Sequence, residues 1–100
     1  MTEALRILLV DDSPDDREAI ARILSALPSR AVEVVEAECG DSALDRLRET
    51  GLDCVLLDFS MPGHDGLAVL SEIRLRYTDM PIVMMTGEGN ERVAVTALKT

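Results

Sequence analysis

Residues 6–12 read Arg-Ile-Leu-Leu-Val-Asp-Asp, a short apolar run that ends in two adjacent carboxylates. A nearly continuous apolar run of this length is typical of a strand buried on both faces of a parallel sheet. Residues 54–58, Cys-Val-Leu-Leu-Asp, repeat the pattern with a single carboxylate at the end. The sequence therefore predicts two interior strands that each deliver acidic side chains at their carboxyl ends.

Two further segments have strand character. Residues 31–37 set valines against Glu33 and Glu36, an alternation typical of a half-exposed edge strand. Residues 82–85, Ile-Val-Met-Met, form another apolar run, which ends at Thr86. We therefore expect four strands in all.

Apolar residues at helical spacing lie between these strands. Ser13 is a good N-cap and Pro14 suits the first helical position. We therefore expect a first helix that begins just after the strand that ends at Asp11 and Asp12, and that ends before Pro28. A second helix should open at Asp41 or Ser42. A third is marked by Leu67, Leu70 and Ile73, and a fourth is expected to begin with Val93, Ala97 and Leu98.

Strands that alternate with helices indicate a layered α/β domain, in which right-handed crossovers join parallel strands. Such sheets bind ligands beyond the carboxyl ends of their strands. Asp11, Asp12, Asp58 and Thr86 all follow or end predicted strands, so we expect these four side chains to converge at one edge.

A cleft that holds three carboxylates needs an offsetting charge, because like charges at close range raise one another's pKa. Mg²⁺ supplies it, since this hard cation prefers oxygen ligands and commonly uses one or two carboxylates plus a phosphate. An isolated Asp pair would more simply end a strand and begin a turn. The third Asp and the hydroxyl at other strand ends favour the metal site.

Length, charge and hydropathy limit the function classes. The chain has 100 residues, the size of one domain, and 47% of them are hydrophobic, as in a globular protein. The net charge of −9 opposes binding to nucleic acid or to anionic membranes. The early apolar run is too short for a signal peptide or a membrane span, so we expect a cytoplasmic protein.

The acidic pair Asp11-Asp12, the run Asp58-Phe59-Ser60-Met61-Pro62-Gly63-His64-Asp65-Gly66 and the segment Met84-Met85-Thr86-Gly87 resemble the receiver domain of two-component response regulators. The resemblance extends over residues 1–100. It implies a flavodoxin-like three-layer fold with strand order 2-1-3-4-5. It also implies a signalling module that accepts a phosphoryl group from a histidine kinase or phosphotransfer protein, rather than a metabolic enzyme.

The resemblance also assigns residue roles. Asp58 is the expected phosphoacceptor, and Thr86 the hydroxyl that contacts the bound phosphoryl group. For Mg²⁺, the resemblance implies Asp12 and Asp58 as ligands, Asp11 as a ligand through water, and the main-chain carbonyl of Ser60 as a further ligand.

One feature of receiver domains is missing from residues 1–100. Receiver domains carry a Lys at the end of a fifth strand, followed by a fifth helix, whereas Lys99 lies in the predicted fourth helix. We therefore expect residues 1–100 to stop before the fifth strand and helix, either because they are a fragment of a longer protein or because the protein departs from the family at this point. One sheet face beside the first helix, and the outer edge of the fourth strand, would then be bare, and bare surfaces favour homodimers.

Two other functions remain open at this stage. A Mg²⁺-dependent phosphohydrolase could use Asp58 as its nucleophile, but such enzymes need a second Asp two residues later, where this chain has Ser60. A receiver-like dimerisation module without phosphorylation is the other alternative, favoured only if the missing Lys is natural.

Overall fold

The computed structural model describes residues 4–49, 51–59, 66–88 and 91–96, and only the main chain over 86–88 and 91–96. The strands are β1 (Leu5–Val10), β2 (Val32–Ala37), β3 (Cys54–Asp58), β4 (Ile82–Glu88) and β5 (Glu91–Thr96). The helices are α1 (Pro14–Ser25), α2 (Gly40–Glu49) and α3 (Gly66–Arg76).

The five described strands form one sheet in the order β2-β1-β3-β4-β5. β1 pairs in parallel with β2 and β3, and β3 pairs in parallel with β4. These pairings confirm the predicted α/β fold and the order 2-1-3-4. A parallel strand needs a long crossover to return the chain to the same end of the sheet, and α1, α2 and α3 supply the three crossovers.

One face of the sheet carries the main hydrophobic core. Alternate residues of β1, β3 and β4 pack there against α2 and α3. The buried members of this cluster include Leu8, Val10, Val55, Leu57, Ile82 and Met84 from the strands, and Ala43, Leu47, Leu70 and Ile73 from the helices. A continuous dry layer of this kind gives a rigid base for the carboxyl ends of the strands.

Helix α1 lies against the opposite face and is much less buried. It begins as predicted, since the Ser13 side chain accepts a hydrogen bond from the Asp16 main-chain N–H at 3.2 Å and Pro14 is in the first turn. None of its residues is buried, and Ile23 is 66% exposed. On the same sheet face Leu9 of β1 is fully buried, whereas Leu56 and Val83 are only half-buried, so the cover over β3 and β4 is incomplete.

The predicted fourth helix is wrong over residues 91–96, where the chain forms β5 antiparallel to β4. Val93, Val95 and Thr96 are β-branched and favour extended backbone, and the outer edge of β4 offers unpaired hydrogen-bonding groups. The edge of β4 is therefore paired, and our expectation that it stays bare is also wrong. Ala97 and Leu98 lie outside the described residues.

Several element boundaries differ from the predicted ones. α2 begins at Gly40, ahead of Ser42, whose hydroxyl accepts a hydrogen bond from the Cys39 N–H at 3.2 Å across the first turn. β4 continues through Glu88, which places Thr86 inside the strand, and Asp58 is the last residue of β3. Among the described helices, none combines the length and apolar character needed to cross a bilayer.

Candidate functional site

The pairing register brings Asp11 and Asp58 side by side. Val10 of β1 lies opposite Leu57 of β3, and each is followed directly by an aspartate. Asp11 is fully buried and Asp58 is 6% exposed, although both are ionisable. Two buried carboxylates at adjacent strand ends form the centre of a polar site at the predicted edge of the sheet.

Asp12 completes a cluster of three carboxylates. Oxygen atoms of Asp11, Asp12 and Asp58 lie within 4.8 Å of one another, and Asp12 is the most exposed of the three. Oxygen ligands around an octahedral Mg²⁺ lie about 3 to 4 Å apart, so a small contraction would suffice. An all-oxygen donor set with one side open to solvent fits a hard cation that keeps some of its waters.

The Asp11 carboxyl has a raised pKa, and burial is the main cause. It raises the pKa of Asp11 from 3.8 to about 6, even though the main-chain N–H of Ser13 donates to Oδ1 at 3.0 Å and acts in the opposite direction. The charge of Asp58 and its hydrogen bond to Asp11 act in the same direction as burial and are part of this shift. The cluster thus carries a repulsion that a bound cation would relieve.

Arg17 stabilises the turn that carries this cluster, a role that the sequence did not reveal. Its Nη1 donates to the main-chain oxygen of Asp11 at 2.7 Å, and its Nε donates to Glu36 Oε1 at 2.8 Å. One guanidinium therefore ties α1 to the ends of β1 and β2. Sequence spacing could not identify it, because the partners come together only when β1 pairs with β2.

The remaining predicted site residues are only partly described. The main chain of Thr86 lies in β4, directly after Met85, which is opposite Asp58 in the register. The Phe59 N–H donates to the Met85 carbonyl at 2.9 Å, so the main chain beside Asp58 is anchored to β4. Ser60 lies outside the described residues.

The sequence model of the response regulator receiver domain matches residues 7–100. A chemotaxis protein CheY homolog of Campylobacter jejuni is 37% identical over 98 residues, which cover 95% of this chain and 74% of that protein. The phosphate regulon transcriptional regulatory protein PhoB of Escherichia coli is 35% identical over 99 residues. This match covers 97% of the chain but only 42% of PhoB, so the chain spans less than half of that relative.

Solved structures agree with these matches. The response regulator TrrA of Thermotoga maritima, in complex with Mg²⁺–BeF, superimposes with a TM-score of 0.75 at 38% identity, over 85% of this chain and 71% of TrrA. TrrA in complex with the histidine kinase ThkA also superimposes with a TM-score of 0.75, at 37% identity, over 89% and 74% of the two chains. With its parallel order 2-1-3-4, its acidic cluster at the carboxyl edge and these matches, the chain belongs to the response regulator receiver domain family.

Proposed function

We propose that this protein is a phosphoacceptor signalling module in which Asp58 takes a phosphoryl group from a histidine kinase or phosphotransfer protein. The observation that carries the proposal is the position of Asp58: it is nearly buried at the end of β3, and its carboxylate lies in a cluster with Asp11 and Asp12. Such a cluster has little structural benefit, because burying like charges together costs free energy. It makes sense as a site that binds a cation and a reacting phosphoryl group.

In the proposed reaction, a carboxylate oxygen of Asp58 attacks the phosphorus of a phosphohistidine. An oxygen–phosphorus bond forms while the phosphorus–nitrogen bond breaks, and the imidazole nitrogen leaves with the bonding electron pair. Water later attacks the acyl phosphate and releases inorganic phosphate, which regenerates the Asp58 carboxylate. The chain acts as a switch with these two steps, rather than as an enzyme that turns over metabolites.

Mg²⁺, when bound, would neutralise the negative charge that builds up on the transferring phosphoryl oxygens. The chain's oxygen donors would hold it: Asp12 and Asp58 directly, Asp11 through a water, and the main-chain carbonyl of Ser60. We assign the Thr86 hydroxyl to a hydrogen bond with the phosphoryl group. The raised pKa of Asp11 supports a site that is incomplete without a cation.

The partner and the cellular setting are part of the same proposal. TrrA, 37% identical to this chain, has been solved in complex with a histidine kinase, and this supports a kinase as the phosphoryl donor here. The net charge of −9 opposes direct contact of these residues with nucleic acid. Charge and composition fit a protein of the cytoplasm.

The phosphohydrolase alternative is less well supported. Position 60, where such an enzyme needs its acid–base Asp, is occupied by serine, which cannot act as a general acid near neutral pH. The expected outcome is therefore a phosphorylated protein that persists, rather than repeated hydrolysis of small phosphate esters.

A phosphorylation experiment tests the assignment of Asp58. With a small phosphodonor and Mg²⁺, the intact chain should gain the mass of one phosphoryl group, and chelating Mg²⁺ should abolish the gain. Asp58→Asn should not be labelled, since an amide is a poor nucleophile. Asp53→Asn is a matched control, because Asp53 precedes the amino end of the same strand and is exposed. Full labelling of Asp58→Asn would show that the nucleophile is another residue.

We also propose that this chain forms a homodimer through α1. The observation that favours it is the lack of any buried residue in this helix, together with the exposure of Ile23 in α1 (66%) and of Leu27 just beyond its end (45%). Neighbouring apolar side chains left in water are a typical association surface. This dimerisation does not depend on phosphorylation. It would therefore also be the function of the chain under the alternative of a receiver-like dimerisation module.

A further inference from the structure

Gly66, the first residue of α3, packs directly on the main chain that follows the proposed phosphoacceptor. Gly66 is buried, and a Cβ atom at this position would lie 2.9 Å from both the Cα and the carbonyl oxygen of Phe59, and 3.3 Å from its carbonyl carbon. All three neighbours are backbone atoms, so they cannot rotate away as a side chain does. Any side chain at position 66 requires the two backbones to move apart.

Space, and not backbone conformation, is the reason for glycine at this position. Gly51 has a φ of 70°, which favours glycine for conformational reasons, but Gly66 has no positive φ. By helix propensity alone, alanine would be preferred over glycine inside a helix. The glycine therefore serves the close approach between α3 and Phe59.

Phe59 is held on two sides. Its N–H donates to the Met85 carbonyl of β4 at 2.9 Å, and its Cα and carbonyl face Gly66 of α3. Asp58 shares a peptide bond with Phe59, so a shift of the Phe59 main chain also displaces Asp58. We propose that Gly66 is a positioning residue, whose contact with Phe59 holds the Asp58 carboxylate within the cluster formed with Asp11 and Asp12. This inference rests on the proposed function of Asp58.

The size of the effect follows from the contact distances. Ordinary contacts of a Cβ atom begin at about 3.4 Å, so an alanine at position 66 would push Phe59 and α3 apart by about half an ångström. Functional groups must be held to within about half an ångström to work well, and larger errors cost up to about a hundredfold in rate. We expect Gly66→Ala to weaken Mg²⁺ binding and slow phosphorylation by about tenfold each.

Gly40 provides a matched control, because it is the first residue of α2 in the same way that Gly66 is the first residue of α3. A Cβ atom at Gly40 would meet the Cγ2 methyl of Val69 at 3.0 Å, and its three nearest neighbours are all side-chain atoms of Val69. Gly40→Ala thus introduces the same helix preference and a similar crowding, but against one side chain of α3 and not against the main chain beside Asp58. It should leave Mg²⁺ binding and phosphorylation as in the wild type.

The experiment compares the wild type, Gly66→Ala and Gly40→Ala by three measurements. These are the hydrogen-exchange rate of the Phe59 amide, the Mg²⁺ dissociation constant by calorimetry, and the rate of phosphorylation by a small phosphodonor. In Gly66→Ala, the Phe59 amide should exchange faster, and Mg²⁺ affinity and phosphorylation rate should both fall. An unchanged exchange rate of the Phe59 amide would show that the contact between Gly66 and Phe59 does not hold this peptide in place. Faster exchange with a normal Mg²⁺ affinity and a normal phosphorylation rate would show that Gly66 contributes to structure but does not position Asp58.

A wild-type measurement covers the case in which Gly66→Ala does not fold. In a ¹⁵N-labelled sample titrated with Mg²⁺, the amide resonances of Phe59 and Gly66 should shift together with one dissociation constant. A Gly66 resonance that stays fixed while Phe59 shifts would overturn the inference. A wild type that neither binds Mg²⁺ nor becomes phosphorylated would instead refute the proposed function, and Gly66 would then have no site to position.

Discussion

At the scale of single residues, the decisive feature is that two ionisable carboxyl groups, those of Asp11 and Asp58, are buried next to each other. Asp11 is fully buried beside Asp58, and the hydrogen bond from the Ser13 N–H, which favours its ionised form, does not offset the effect of burial. Without a cation, protonation is the cheapest way to relieve this arrangement, which is why the pKa of Asp11 rises to about 6. Proton binding and cation binding therefore compete at the same oxygens.

This competition predicts a pH-dependent stability. In metal-free protein the pKa of Asp11 is about 6 in the folded state, against 3.8 for the group in an unfolded chain. Between these two pH values the folded state therefore binds the Asp11 proton more tightly than the unfolded chain does. The free energy of unfolding should therefore fall as pH rises from about 4 to about 6, by at most about 3 kcal/mol. Asp11→Asn should remove this slope. Urea denaturation of both proteins across that range, with a chelator present, measures the difference; parallel curves would contradict the Asp11 assignment.

At the scale of secondary structure elements, Arg17 joins three of them through one side chain. It donates to the main chain of Asp11 after β1 and pairs with Glu36 of β2, while its own backbone belongs to α1. Its side chain is only 17% exposed, so solvent screens these contacts less than those of a surface pair. α1 buries little apolar surface, and the contacts of Arg17 are thus an important part of what holds it to the sheet.

Replacing Arg17 should therefore cost more than replacing another arginine of the same helix. Arg17→Met keeps the aliphatic stem but removes the donors, and we expect a loss of about 1 to 2 kcal/mol in the free energy of unfolding. Arg22→Met removes an exposed pair with Glu18 and should cost about 0.5 kcal/mol or less. Chemical denaturation measures both values. Equal losses for the two variants would show that the contacts of Arg17 are screened like surface contacts.

At the scale of the whole molecule, the two faces of the sheet are covered unequally. The face under α2 and α3 is dry and closely packed, whereas the face under α1 leaves Leu56 and Val83 half-buried. Strands that are apolar on both sides need cover on both sides. The homodimer proposed above would cover apolar surface on the α1 side.

Association should follow from this asymmetry. In sedimentation velocity we expect the chain to form dimers at micromolar concentrations and the double substitution Ile23→Glu with Leu27→Glu to give monomers, because two charges cannot be buried in an apolar contact. Leu75→Glu is the control: Leu75 is 81% exposed but belongs to α3, on the other face of the sheet. A wild-type chain that sediments as a monomer would refute the proposed dimer.

Much of the parallel core could be predicted from local patterns. β1, β3 and β4 are nearly continuous apolar runs, and a strand buried on both faces has no other common sequence signature. The start of α1 was equally predictable, because the Ser13 cap and Pro14 act within one turn of the chain. The segment 91–96 was not predictable in this way: the spacing of Val93 to Ala97 fits a helix face, whereas that of Val93 to Val95 fits a strand face, and the edge of β4 decided the outcome.

The sequence by itself determined where the candidate acidic groups fall along the chain, since Asp11 and Asp12 follow the β1 signal and Asp58 ends the β3 signal. Tertiary structure alone decided the strand register that sets Asp11 beside Asp58, the hydrogen bond by which Arg17 supports the turn between β1 and α1, and the contact of Gly66 with Phe59. The physical reason is distance along the chain. Capping and periodicity act within a few residues, whereas these contacts join residues of different elements and exist only once the strands have paired and the helices have packed.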